Sequence, residues 1–316
     1  MAIVHCKVLG FVNMLGRAGR IRCAPFRSDP IRGGCSMVPV ASFVFMAVTV
    51  VIAFGVPLGG LIWLQTRRTS GGAPRYPAVG RAFLCGALAF TAAQVLTRLP
   101  LMALLATHRA HPLAAFLLSG PVASYTAGLF EETGRLVVMV LLLRRFHRWI
   151  DGVSFGLGHG GIEAMLLVGL SYVSNLVIAV MINTGQWSRL AAMLPADRAG
   201  AVRDAMVGTP SVLFLAAGVE RISAIGVHVA LSVLVLWGVH RQRKALAWLV
   251  AVVLHGTVNL TAILMAGARI GPWWIELVLL VLAAALLVLA VRLRPAMAAD
   301  VTPDLRRMPP PIAQRV

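Results

Sequence analysis

An all-α, polytopic transmembrane helical bundle of about seven spans is the fold this sequence predicts, and three observations carry the prediction. The composition is lopsided: 59% of the 316 residues are hydrophobic, 13% are charged, and mean hydropathy is +0.85. Soluble domains are about a quarter charged. Apolar runs long enough to cross a bilayer, roughly 20 residues, recur along the chain with no repeat or soluble domain between them. The arginines gather in alternate loops, the asymmetry that orients membrane helices.

Taken in order, spans are expected at about 38–64, 79–106, 113–143, 152–182, 209–239, 245–267 and 272–293. The first leads into a loop with Arg67, Arg68, Arg75 and Arg81, the second into one whose only arginine is Arg109. Arg144, Arg145 and Arg148 follow the third. The fourth leads into the longest polar insert, about 184–208, where Asp197 and Asp204 stand among Arg189, Arg198 and Arg203 and a short amphipathic segment is expected. Arg241, Arg243 and Lys244 follow the fifth span, Arg269 the sixth, and Arg292, Arg294, Arg306 and Arg307 the seventh. The heavier clusters belong in the cytoplasm. The chain is therefore expected in a bacterial-type plasma membrane, its first span starting outside and its C-terminus inside.

Residues 1–36 oppose that orientation, because they carry Lys7, Arg17, Arg20, Arg22, Arg27 and Arg32 on the outer side. No apolar stretch of roughly 7–15 residues follows these arginines, as a signal peptide would require. The expectation is that 1–36 are a basic extension ahead of a native start at Met37. Residues 37–295 then form the membrane domain, and 296–316 a disordered cytoplasmic tail. A net charge of +18 would suggest nucleic acid in a soluble chain. Here the basic residues lie in short clusters between apolar runs, with no nucleic-acid-binding pattern. The lipid bilayer is the expected partner, and nucleic acid is not. The four cysteines, Cys6, Cys23, Cys35 and Cys85, are too scattered for a disulfide framework or a metal site.

The polar residues inside the spans carry the functional signal, since a charge at the bilayer centre costs on the order of 2.5–3.5 kcal/mol. Counted at about 1.5 Å per residue from the cytoplasmic ends, Glu131 and Glu132, His159 and Glu163, His228, and His255 with Asn259 lie at one depth on four helices. Independent spans have no need to agree in this way. Arg135 is spaced to neutralise either Glu131 (i,i+4) or Glu132 (i,i+3). Gly152, Gly156 and Gly160 form a small-residue ridge that admits another helix backbone. Glu220 and Arg221 lie nearer the outside; being adjacent, they are expected to point apart. A carboxylate beside histidines in a dry cavity suits activation of water, as general base or within a metal site. His159, His228 and His255 could supply nitrogens to a zinc ion with an open position, although no HExxH pattern is present. No nucleotide or haem is expected. Histidine with asparagine can donate hydrogen bonds to an oxyanion.

The motifs Glu-Glu-x-x-Arg (131–135), Phe-x-x-x-His (155–159) and His-x-x-x-Asn (255–259), in that order, resemble those of the CAAX-protease and bacteriocin-processing superfamily of intramembrane proteases. GLFEETGR followed by DGVSFGLGHGGIEA is similar to its YhfC branch of intramembrane metalloproteases. The resemblance implies an intramembrane peptidase acting on a membrane peptide or protein. It implies that Glu131 and His159 activate water while His255 and Asn259 steady the oxyanion. The spacing departs from the CAAX enzymes, whose arginine stands one residue further on, which leaves the part of Arg135 and the choice between Glu131 and Glu132 open. Glu163, Glu220 and His228 have no counterpart in the short motifs and are expected to support the site. Two other classes compete: a proton-coupled transporter, because intramembrane acids and histidines also build relays, and a non-catalytic scaffold or immunity-type binding protein with the same fold.

Overall fold

The computed structural model describes residues 37–72, 74–144 and 148–298. Residues 1–36 and 299–316, where the basic extension and most of the tail are expected, lie outside the described residues. Among those described, all regular structure is helical apart from one bridge between Arg68 and Pro74. Seven long helices span the bundle: α1 (Val40–Thr66), α2 (Val79–Thr107), α3 (Gly120–Leu142), α4 (Trp149–Asn183), α5 (Leu213–His240), α6 (Lys244–Gly267) and α7 (Pro272–Arg292). Six of them are long and apolar enough to cross a membrane. The exception is α3, 23 residues long, whose apolar run is broken by Glu131, Glu132 and Arg135.

The expected spans hold, with local differences. The third does not run unbroken from 113: a separate helix, Pro112–Leu117, precedes α3, and extended Ser119 hands over to a new helix with proline in its first turn. Proline is tolerated there because it lacks a donor that would go unpaired anyway. The fifth starts at Leu213, after a turn in which Leu213 N bonds Pro210 O. The polar insert forms two helices, Trp187–Ala191 and Ala196–Gly208. Both α2 and α4 contain a π-helical turn, Thr91–Arg98 and Ala164–Gly169. α4 begins on a reciprocal cap in which Asp151 accepts from the Arg148 backbone and guanidinium. That hydrogen bond holds the Arg148 pKa above its ordinary value.

α5 is the axis of the bundle: 72% of its most apolar window is buried, against 28–33% for the other five. The predicted glycine ridge faces it. A Cβ on Gly152 would lie 3.1 Å from Val233 Cα, one on Gly156 2.8 Å from His228 O, and one on Gly160 3.0 Å from Ile225 Cα. On the opposite face of α4, Gly158 abuts the Phe83 carbonyl of α2. Small residues thus let α4 sit between α2 and α5 at backbone contact, which places His159 and Glu163 deep in the bundle. Leu84, Leu88 and Leu96 on α2 and Leu277, Val281 and Val288 on α7 are exposed and form the surface that lipid chains cover. The chain is an integral membrane protein.

Candidate functional site

Glu131 and Glu132 are neighbours on α3, so their side chains leave the helix about 100° apart and join different groups. Glu131 faces α2 and α4. Gln94 Nε2 donates to its Oε1 at 2.5 Å, and His159 Nε2 lies 3.1 Å from its Oε2. Glu132 faces α6. Arg135 donates from Nε to Oε2 at 2.8 Å and from Nη2 to Oε1 at 3.1 Å, and His255 Nδ1 lies 2.9 Å from Oε1. Arg135 is therefore the counter-ion of Glu132, its i,i+3 partner.

Arg135 also ties α3 to α5. Nη1 donates to the His228 carbonyl at 3.0 Å and to Ser232 Oγ, and Nη2 lies 3.0 Å from His228 Nδ1. A guanidinium only donates, so His228 Nδ1 accepts and the ring hydrogen sits on Nε2, 2.6 Å from Glu163 Oε2. Glu163 Oε1 accepts from Arg221 Nη1 at 2.8 Å, while Arg221 Nη2 donates to Glu220 Oε1 at 2.9 Å. The expectation that Glu220 and Arg221 point apart is corrected here. The long arginine folds back onto its neighbour while its other amine reaches α4. An unbroken chain, Glu132–Arg135–His228–Glu163–Arg221–Glu220, results.

All nine polar residues singled out in the sequence, Glu131, Glu132, Arg135, His159, Glu163, Glu220, His228, His255 and Asn259, are 5% exposed or less. The His159 and His228 ring centroids are 4.8 Å apart, and those of His228 and His255 5.3 Å. Glu220 joins through Arg221. Between α5, α6 and α7 lies a cavity of about 20 Å³ walled by Ser223, Val227, His228, His255, Val258, Asn259 and Leu279, room enough for a water molecule. Ser223, His255 and Asn259, which line it, each bury a side-chain atom without a hydrogen-bond partner: Oγ, Nε2 and Oδ1. Buried polar atoms are nearly always paired, so hydrogen-bonding capacity is left unmet on three residues around one cavity. Because His255 Nδ1 faces the Glu132 carboxylate, it donates. Nε2, 3.9 Å from Glu131 Oε1, has no hydrogen-bond partner.

Glu131, His228 and His255 form a buried group whose ligand atoms lie within 4.8 Å of one another and could hold a metal ion. This differs from the expected three-histidine set: His159 Nε2 is turned onto the carboxylate that replaces it. Charge is also out of balance. Five buried carboxylates (Glu131, Glu132, Glu163, Glu220 and Glu276) face three buried arginines (Arg98, Arg135 and Arg221) among the described residues, apart from the Arg148-paired Asp151. Protons or a cation must offset the difference, because an uncompensated buried charge costs several kcal/mol.

The reading of the sequence missed Gln94, Arg98 and Ser223. Gln94 and Arg98 carried a signal, two polar residues four apart in the otherwise apolar second span; Ser223 carried none, since serine is common in spans.

Comparison with known proteins places the chain in a family. The family model described as YhfC intramembrane metalloprotease matches residues 52–292. The uncharacterized membrane protein YhfC of Bacillus subtilis (strain 168) is 36% identical over 242 residues, 72% of this chain and 86% of that protein. No solved structure matches.

Proposed function

The chain belongs to the YhfC intramembrane metalloprotease family, and from that premise we propose that it hydrolyses a peptide bond of a membrane peptide or protein inside the bilayer, as the CAAX-type enzymes do. One observation carries the reading: the unpartnered His255 Nε2 on the cavity wall, 3.9 Å from Glu131 Oε1. A water placed between the two atoms would reach both at ordinary hydrogen-bond length, about 2.8 Å.

The family name implies a metal, and zinc is the ion such ligands would take. The hydrogen bonds do not fit a three-ligand ion as the side chains stand. Glu131 and His255 offer lone pairs. His228 does not, because Arg135 occupies Nδ1 and leaves the hydrogen on Nε2. The chemistry is therefore derived through the chain's own groups.

Glu131, held by Gln94 and His159, orients the water. His255, with Nδ1–H donated to Glu132, takes the water's proton on Nε2 as the oxygen attacks the carbonyl carbon. Asn259, one turn along α6, meets the carbonyl oxygen with its amide. The proton then passes from His255 to the leaving nitrogen as the C–N bond breaks. Relative to the roles implied by the CAAX enzymes, water activation passes from His159 to His255, His159 holds Glu131, and Asn259 keeps the oxyanion.

The test is cleavage of fluorophore-tagged single-span model peptides by protein reconstituted in liposomes, with products identified by mass spectrometry. Glu131→Gln and His255→Ala are expected to abolish cleavage while folding is retained; wild-type rates in either overturn the reading. A proton-coupled carrier is the second reading, favoured by the unbroken chain from Glu132 to Glu220. It predicts Glu163-dependent acidification of the lumen under an imposed gradient, and no cleavage.

A further inference from the structure

Glu131 is gripped from α2 by a side chain outside every motif of the sequence. Gln94 lies on the π-helical turn Thr91–Arg98 and is 8% exposed. Its Nε2 donates to Glu131 Oε1 at 2.5 Å, and its Oε1 lies 3.4 Å from Arg98 Nη1. These neighbours permit one orientation of the amide, because a carboxylate only accepts and a guanidinium only donates. A flipped amide would set oxygen against oxygen and N–H against N–H. Arg98 is anchored in turn: Nη2 donates to the Ala123 carbonyl at 2.7 Å, about two turns before Glu131 on α3. Thr97 Oγ1 donates to the carbonyls of Ala92, at 3.0 Å, and Ala93, so the widened turn keeps its carbonyls satisfied. The helices are close enough for this grip because residue 134 has no side chain. A Cβ there would lie 2.8 Å from Ala93 Cβ.

We propose that Gln94, aligned by Arg98, is a positioning residue that fixes the Glu131 carboxylate for water activation. The proposal rests on the hydrolytic reading. With Oε1 held by Gln94 and Oε2 by His159, the carboxylate cannot rotate, and the remaining lone pair of Oε1 stays available toward His255. Without Gln94 the group keeps one donor and is free to swing about its last torsion. Partners that orient a reacting group typically matter by about 10–100-fold when lost. A merely structural Gln94 would instead change stability and leave turnover of the folded fraction intact.

The experiment uses the full chain in nanodiscs. The infrared difference between wild type and Glu131→Gln isolates the Glu131 carboxylate stretch, which needs no substrate. Gln94→Leu and the nearly isosteric Gln94→Met are expected to shift that band. They are also expected to lower kcat about 10–100-fold on the same model peptide that wild type cleaves, with KM within about two-fold. Two variants guard against one that folds poorly. An unmoved band overturns the contact, and a moved band with unchanged kcat overturns the positioning role. Absence of cleavage by wild type, or cleavage by Glu131→Gln, overturns the hydrolytic reading and this role with it, whatever the band does.

Discussion

Replacing Arg135 by methionine removes the guanidinium that touches Glu132 and cuts the ties of α3 to the His228 carbonyl, His228 Nδ1 and Ser232. The helix stem survives, because methionine fills much of the same volume, so the loss is electrostatic. Glu132 is 0% exposed and keeps one donor, His255 Nδ1. Removing one partner of a buried pair costs about 3–5 kcal/mol, and the upper end applies because acceptors on α5 lose their donors as well. The double variant Glu132→Gln/Arg135→Met removes the stranded charge, and the new amide oxygen still accepts from His255. Its loss falls to roughly 1–3 kcal/mol, the cost of unmet polar groups alone. The double variant is therefore about 2 kcal/mol more stable than Arg135→Met alone, and with Glu132→Gln as the third variant the coupling between the two sites is expected to be about 2 kcal/mol or more, within the range for residues in one network. Reversible unfolding in mixed micelles, titrated with dodecyl sulfate, measures all three variants. An Arg135→Met protein within about 1 kcal/mol of wild type, or a double variant less stable than the single, would refute the assignment of Arg135 as a buried counter-ion.

Two further outcomes follow from the same contacts. Gly158→Ala places a methyl against the Phe83 backbone carbonyl, which cannot step aside, whereas a methyl on Gly59 meets nothing within 4 Å. The first is expected to cost about 1–3 kcal/mol or to prevent folding. The second is neutral or stabilising by up to about 1 kcal/mol, and equal melting temperatures would contradict the close approach of α4 to α2. Because the lone pair of His228 that a metal needs is blocked by Arg135, chelation with EDTA is expected to leave cleavage of the model peptide within about two-fold; a loss restored by zinc, on the order of the 10–100-fold seen when metal sites are perturbed, would sink that inference.

The membrane fold was legible because span length and hydropathy are local properties; each helix reads without knowledge of the others. The depth of the site was legible for a related reason. Helical rise is constant and the arginine-rich loops give a common origin, so Glu131, His159, His228 and His255 could be placed at one height before any packing was known. Depth says nothing about rotation. Glu131 and Glu132 share a height, and which of them meets His159 and which His255 depends on where α4 and α6 stand around α3. Backbone contacts at Gly128, Gly156 and Gly158 decide that, and no periodicity in one helix reports on its neighbours. The bend of Arg221 onto Glu220 was hidden likewise, because side-chain direction at adjacent positions does not limit where a long flexible chain ends.

Gln94 was harder to read for a different reason. An uncharged amide in a span costs less than a carboxylate, so its spacing from Arg98 is a weaker signal, and its effect here depends on a π turn that no hydropathy pattern encodes. π turns occur mostly as single interruptions near functional sites, and the two among the described residues adjoin the cluster: one carries Gln94, and the other begins immediately after Glu163. An added residue in a turn rotates everything beyond it relative to what precedes it. Each span can thereby keep one face for the lipid and still aim a polar side chain inward at the depth where the carboxylates stand. Amides and arginines flanking such turns are therefore the residues to test next to the motif histidines.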